Sequence, residues 1–192
     1  MYEWDNTGKL IKREIDQFND GSIERVLHVS YNVAGQKFKL EEDTNNNGDI
    51  DEVTTYIYNA NGQVIRMEDD NDNDGIVDYA RIYAYDANGN LAQKDVDDDN
   101  DGFSDWVTTY NYDASGNLIL ENIDLDIDGV IDGVIIYNYD PDGNLNRRQE
   151  DFNNDGSIEK ETNYTWTQLT PNSSGSSGSG GGGSGCFIST LK

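Results

Sequence analysis

The sequence predicts an all-β chain, an antiparallel meander coiled as a β-spiral solenoid of six 27-residue repeats. Three observations carry that expectation. Glycines at 21, 48, 75, 102, 129 and 156 stand 27 residues apart, and glycines at 8, 35, 62, 89, 116 and 143 keep the same period. Aromatic residues two apart recur in one phase, at 2/4, 56/58, 83/85, 110/112, 137/139 and 164/166, with Val29 and Tyr31 in the first full repeat. Acidic runs of the form Asp-x-[Asp/Asn]-x-[Asp/Asn]-Gly-x-x-[Asp/Glu] fill the gaps between them, with Phe18 breaking the pattern once. Self-similarity at a fixed period means one supersecondary unit stacked on copies of itself.

The third repeat serves as the type. Residues 70–78 form the acidic loop, Tyr79 to Tyr85 the first strand, Asp86-Ala87-Asn88-Gly89 a turn, and Asn90 to Val96 the return strand. Both apolar segments are too short for an ordinary helix and are bounded by turn residues, so each reads as a strand. Residues i and i+2 share a face of a strand but not of a helix, which makes the Tyr-x-Tyr pairs an independent sign of β-structure. Stacking would align them into aromatic columns beside Leu10, Val64, Leu91, Leu118 and Leu145, and a packed core is the favoured role for those columns. The turn has its own chemistry. In Asp140-Pro141-Asp142-Gly143 the residues suit a type I turn, with glycine closing a bulged hairpin. Counting along the chain gives 13 strands.

Composition sets the limits. Of 192 residues, 38 are Asp or Glu and 13 are Lys or Arg, for a formal charge of −25 with only 34% apolar residues. Such values alone favour disorder. The 12 Tyr, 3 Trp and 5 Phe, set at fixed phases, favour order. Bound cations reconcile the two, since six divalent ions would offset about half of the formal charge. So acidic a chain repels nucleic acid and anionic membranes, since both need Lys/Arg stripes. No apolar run reaches the length of a membrane span. The chain opens Met1-Tyr2-Glu3-Trp4 already inside a repeat, as expected of a mature or excised segment. A single cysteine, Cys186, leaves no internal disulfide framework.

The acidic loops carry the chemistry. Oxygen ligands at loop positions 1, 3 and 5, a glycine at 6 and a carboxylate at 9 suit Ca²⁺, whereas Zn²⁺ would need His or Cys. The candidate ligands are Asp16, Asp20 and Glu24 in loop one, and Asp43, Asn45, Asn47 and Asp51 in loop two. Loop three offers Asp70, Asp72, Asp74 and Asp78, and loop four offers Asp97, Asp99, Asp101 and Asp105. Loop five offers Asp124, Asp126, Asp128 and Asp132, and loop six Asp151, Asn153, Asp155 and Glu159. Asp, Asn and Gly form turns without any metal, but six loops in phase favour ligation by up to six ions. Loop one lacks a ligand at Phe18 and loop two has only two carboxylates, so loops three to five are expected to bind most tightly. An EF-hand fits badly, because position 12 is never Glu and the flanks are strands.

The loops resemble the β-hairpin calcium loops of the integrin α-subunit propeller (FG-GAP repeats). The other half of the unit, Tyr83-Ala84-Tyr85-Asp86-Ala87-Asn88-Gly89-Asn90-Leu91, resembles the YD repeats of Rhs and teneurin-type proteins. That second resemblance implies a spiralling β-shell on secreted or surface proteins. Together they cover residues 1 to about 168. The chain has no toxin or peptidase-like cap, so toxin function does not carry over.

Three segments are expected: a calcium-binding β-repeat domain over 1–169, a Gly/Ser-rich linker over 170–185, and a short Cys-containing β-prone tail over 186–192. The tail suits an attachment tag, a donor strand for a neighbouring subunit, or a disordered remnant. No catalytic pair stands apart from the loop phase and His28 falls at an ordinary strand position, so no enzyme is expected. The expected function is an extracellular, calcium-rigidified structural repeat of a cell surface or appendage. Head-to-tail assembly into a homo-oligomer or filament through the end strands or the tail would suit it. The alternative is a calcium-dependent adhesion module that recognises carbohydrate or protein.

Overall fold

The computed structural model describes residues 1–168 and 187–191, with side chains to residue 166. Every regular element among them is a β-strand. The chain forms two compact units, Met1–Thr109 with Leu125–Asp128, and Tyr110–Asp124 with the residues from Gly129 onward.

The first unit holds β1 (Tyr2–Trp4), β2 (Leu10–Ile15), β3 (Arg25–Tyr31), β4 (Lys37–Asp43), β5 (Glu52–Tyr58), β6 (Val64–Asp70), β7 (Tyr79–Tyr85), β8 (Leu91–Asp97) and the start of β9 (Trp106–Tyr112). Each strand pairs antiparallel with the next. The second unit holds β10 (Leu118–Asp124), β11 (Gly133–Tyr139), β12 (Leu145–Asp151), β13 (Lys160–Gln168) and β14 (Phe187–Leu191), paired in the same way. This is the antiparallel meander the repeat predicts, and the third-repeat strands fall within a residue of their expected bounds.

Two kinds of connection alternate. The tight turns follow the predicted hairpin chemistry. Gly89 donates its N–H to the Asp86 carbonyl at 3.0 Å and has φ of +88°. The register then slips between Ala84 and Tyr85, which is the bulge. Asp86 Oδ1 accepts the backbone N–H groups of Asn88 and Asn90, at 2.9 and 2.8 Å, and locks the loop. Asn59 does the same for Asn61 and Gln63, so a neutral amide serves as well as a carboxylate.

The expected aromatic core is corrected. Among the described residues, strands within each unit touch only their sequence neighbours. Among the described residues buried apolar side chains are few: Val26, Ala80 and Val96 in the first unit and Ile135 in the second. The tyrosines of the pairs at 56/58, 83/85 and 137/139 are only half-buried. Their second members act as ties. Tyr31, Tyr85 and Tyr139 donate their hydroxyls to the carbonyls of Leu10, Val64 and Leu118 at 2.9, 2.7 and 2.8 Å, each 21 residues back. Trp166 Nε1–H does the same to Leu145. A phenol holds its apolar ring on the sheet while its hydroxyl finds a partner, so one residue type both packs and pins each repeat.

Residues 169–186 and 192, which include the expected linker and Cys186, lie outside the described residues. The β-prone tail does form a strand. It pairs with β13 of its own chain, from Tyr164 opposite Leu191 to Gln168 opposite Phe187.

Candidate metal centres

Each acidic loop leaves the end of one strand and enters the next, so position 1 is fixed by the sheet and positions 2 to 9 by the loop. In loops two, four and six position 1 is the most buried member. Asp43, Asp97 and Asp151 are 4%, 3% and 3% exposed. Its carboxylate bends the loop around itself: Gly48, Gly102 and Gly156 donate N–H to Oδ2 of Asp43, Asp97 and Asp151 at 2.8, 3.1 and 2.9 Å. The far end is tied too. Position 9 accepts the position 2 N–H, as in Asn71 to Asp78 at 2.7 Å, Asp98 to Asp105 at 2.6 Å and Phe152 to Glu159 at 2.7 Å. Position 5 accepts the N–H of position 7, as in Ile76 to Asp74 and Phe103 to Asp101, both at 2.8 Å.

These bends drive like charges together. Ligand oxygens of Asp16, Asp20 and Glu24 lie within 4.8 Å of one another, as do those of Asp70, Asp72 and Asp78, of Asp97, Asp99 and Asp101, and of Asp151, Asp155 and Glu159. Loop one thus gathers three carboxylates in spite of Phe18. In loop two Asn45 Nδ2–H points at Asp51 Oδ2 from 3.1 Å, so an amide donor stands where loops three, four and five place a carboxylate. Asn47 Oδ1 accepts the Asp49 N–H at 2.8 Å. In loop six Asn153 Nδ2–H donates to Asp155 at 3.2 Å. Loop five belongs partly to each unit. Within the second, Asp124 Oδ2 accepts the Gly129 N–H at 3.1 Å, and within the first, Asp126 accepts the Asp128 N–H at 3.4 Å. Asp132 is hydrogen-bonded or paired as well.

Loops four and five differ from loops two and six at one atom, since Asp97 Oδ1 and Asp124 Oδ1 are both buried without a partner. In loops two and six both oxygens of the position 1 carboxylate accept backbone N–H groups; Asp43 Oδ1 accepts Asn47 at 3.1 Å, and Asp151 Oδ1 accepts Asp155 at 3.2 Å. Asp97 Oδ1 is buried and has no partner. Two further buried carboxylates of the sheet, Glu42 and Glu150, are matched by cations. Glu42 pairs with Arg25, and Glu150 with Arg148 and with Lys160, the last at 2.8 Å. An unmatched buried carboxylate oxygen is costly unless a cation meets it. Oxygen-only donors, a bend at glycine and an orphaned buried oxygen beside Asp99 and Asp101 fit a hard divalent cation.

Sequence reading missed position 4. Asn19, Asn46, Asn73, Asn100 and Asn154 have φ between 50° and 54°, the left-handed region that Asn tolerates best after glycine. Three of them also tie loop to loop: Asn46, Asn73 and Asn154 Nδ2–H groups donate to the carbonyls of Ile23, Ile50 and Ile131, each at 2.9 Å. Asn100 instead accepts from Arg66 Nη2 at 3.2 Å. The fifth loop puts Ile127 there at φ 56°. Asn at position 4 in five of six loops was the available signal, read only as filler between ligands.

No protein-family model matches the chain, and no curated protein matches it. Among solved structures it is similar to part of the Photorhabdus luminescens Tc holotoxin pore, with 19% identity and a TM-score of 0.50. That alignment covers 86% of this chain and 9% of the other. The likeness is one of fold. A TcdB2-TccC3 structure without its hypervariable C-terminal region aligns at 15% identity and a TM-score of 0.36, over 86% of this chain and 11% of that one. A porin-like protein from Bacteroides uniformis aligns at 19% and 0.31, over 82% and 58%. The chain thus spans about a tenth of the toxin-complex chains it matches. No helix among the described residues is long and apolar enough to cross a membrane.

Proposed function

We propose that the chain is a non-enzymatic structural β-repeat of an extracellular or cell-surface protein, rigidified by Ca²⁺ held in its acidic loops. The observation that carries this reading is Asp97, whose buried Oδ1 has no partner and whose carboxylate converges with those of Asp99 and Asp101. A Ca²⁺ ion supplies the missing positive charge and accepts six to eight oxygens. In loop four, Asp97, Asp99, Asp101 and Asp105 would hold it. The thin core makes the ion a structural need, because few buried apolar contacts oppose the repulsion of −25 formal charges.

Head-to-tail growth belongs to this reading in a restricted form. The β13 edge is paired by β14 of the same chain, so growth there requires β14 to leave. Calorimetric titration of the full chain with CaCl₂ tests the metal. The expected result is several sites, with loop four lost in Asp97→Asn. Titration heats equal to buffer dilution would sink the reading.

A further inference from the structure

Resting on the calcium reading of the loops, we propose that the asparagine amide at loop position 4 couples calcium binding between neighbouring loops. Loops one to three then form one coupled block and loops five and six another, while loop four binds by itself. Each tie joins the middles of two ligand sets. Asn46 stands between Asn45 and Asn47 of loop two, and its amide reaches the Ile23 carbonyl beside Glu24 of loop one. Asn73, between Asp72 and Asp74 of loop three, reaches Ile50 beside Asp51 of loop two. Asn154, between Asn153 and Asp155 of loop six, reaches Ile131 beside Asp132 of loop five.

The ties are not spread evenly. Among the described residues Asn100 of loop four makes no tie of this kind, its Oδ1 accepting from Arg66 Nη2 instead. Ile127 of loop five has no amide to offer. The pattern follows ligand number. Loops one, two and six offer three, two and three carboxylates, and ties link each of them to a loop that offers four, loop three or loop five. Loop four has four carboxylates of its own and the buried, unpartnered Asp97 Oδ1. The loops with the fewest charged ligands are therefore the ones connected to a stronger neighbour.

The coupling has a physical route. Without an ion, crowded carboxylates repel one another and favour opening of the loop. A bound ion draws the ligand positions together and fixes the strand end beside them. Through the tie, that order reaches position 4 of the adjoining loop, where Asn46 and Asn73 both hold φ of 54°. An unrestrained chain seldom visits that left-handed region. Holding it sets the ligands at positions 3 and 5 in place, so the second ion meets a loop already ordered. The coupling is reciprocal. It cannot exceed the worth of the hydrogen bond, about two- to tenfold in affinity for each tie.

The test is a site-resolved calcium titration of the full chain by amide NMR. The glycine at position 6 reports on each loop, because Gly21, Gly48, Gly75, Gly102, Gly129 and Gly156 all donate N–H to the position 1 carboxylate. Asn73→Gly removes the amide while glycine keeps the left-handed bend. The decisive readout is the neighbouring loop: the Gly48 midpoint should rise by about two- to tenfold, and the Gly102 midpoint should stay where it was. Asn100→Gly should leave the Gly75 midpoint unmoved. Weakening loop three by Asp72→Asn with Asp74→Asn, the residues loop two carries at those positions, should also raise the Gly48 midpoint. In the Asn73→Gly background that rise should disappear. A Gly48 midpoint indifferent to Asn73→Gly would overturn the coupling and leave the metal reading standing. A rise on weakening loop three that persists without the amide would overturn it too. No response of any of these glycines to calcium would remove the metal reading and the coupling with it.

Discussion

The two kinds of connection in this chain are made from the same residues and behave as opposites. At the tight turns, one side-chain oxygen of Asp or Asn accepts two backbone N–H groups and closes the turn. At the acidic loops, three carboxylates crowd within 4.8 Å and one buried oxygen of Asp97 has no partner. The turns are complete as protein. The proposed function completes the loops with a cation. Residue composition cannot separate the two, because Asp-x-Asn-Gly and Asp-x-Asp-x-Asp-Gly are both good bend formers. Spacing separates them: one carboxylate per turn is a lock, and three on alternate residues are a charge cluster.

Calcium removal should break the comparison most visibly. Six sites at tenfold excess over each Kd contribute roughly 8 kcal/mol by linkage. EGTA should therefore lower the melting temperature by about 20 °C or more for a chain of this size, as followed by circular dichroism. Equal melting with and without calcium would place the loops with the turns.

Paired neutralisations sharpen the contrast. Asp86→Asn should leave stability within about 0.5 kcal/mol, because Asn59 already closes the same turn as an amide. Asp97→Asn should weaken loop-four calcium affinity by about tenfold or more, since a charged ligand is replaced by a neutral one. Its effect on melting should change sign with the medium. In calcium it destabilises; in EGTA it stabilises, because it removes one of three crowded charges. Destabilisation in both media would mean that Asp97 acts only as a loop lock.

Ile127→Asn should stabilise by about 1 kcal/mol, read from the urea midpoint in calcium, because Asn holds the left-handed conformation with less strain than a β-branched residue. No gain would show that the fifth loop has already relaxed its bend.

The smallest effect is the acid limb of the turns. The carboxyls of Asp113 and Asp140 sit below their ordinary range. The side-chain amide and then the N–H of Asn117 hold down the first, and the N–H and then the amide of Asn144 hold down the second. A folded pKa below the unfolded one adds stability that is present above the unfolded value of about 4 and is lost as pH falls through the folded value. Melting in EGTA should therefore begin to fall below about pH 4, and Asp113→Asn should flatten that limb slightly. An unchanged limb would remove Asp113 from its causes.

Much of this was legible in the sequence. The period marks the strands, the bulged turns and the acidic loops, because each rests on chemistry local to about ten residues. The half-buried tyrosines were not legible as ties. Their hydroxyls reach Leu10, Val64 and Leu118 across 21 residues, and pairing alone could not say whether a second layer covered them. The role of position 4 was hidden for another reason. Asn73 serves both its own left-handed backbone and the carbonyl of Ile50 in the preceding loop, and neither need leaves a mark beyond the residue itself. The state that Asp97 Oδ1 shares with Asp124 Oδ1 was beyond reach, since Asp43 and Asp151 occupy the same position with both oxygens satisfied.

The tyrosine and asparagine ties share a property with consequences for the chain's history. Tyr85 to Val64 and Asn73 to Ile50 each reach no farther than the neighbouring repeat. Nothing in such a ladder counts rungs. A duplication or deletion of one whole unit would restore every tie at the new junction, so the length of the array is free to drift between close relatives. An insertion of any other size would misalign tyrosine, asparagine and glycine at once and should be purged.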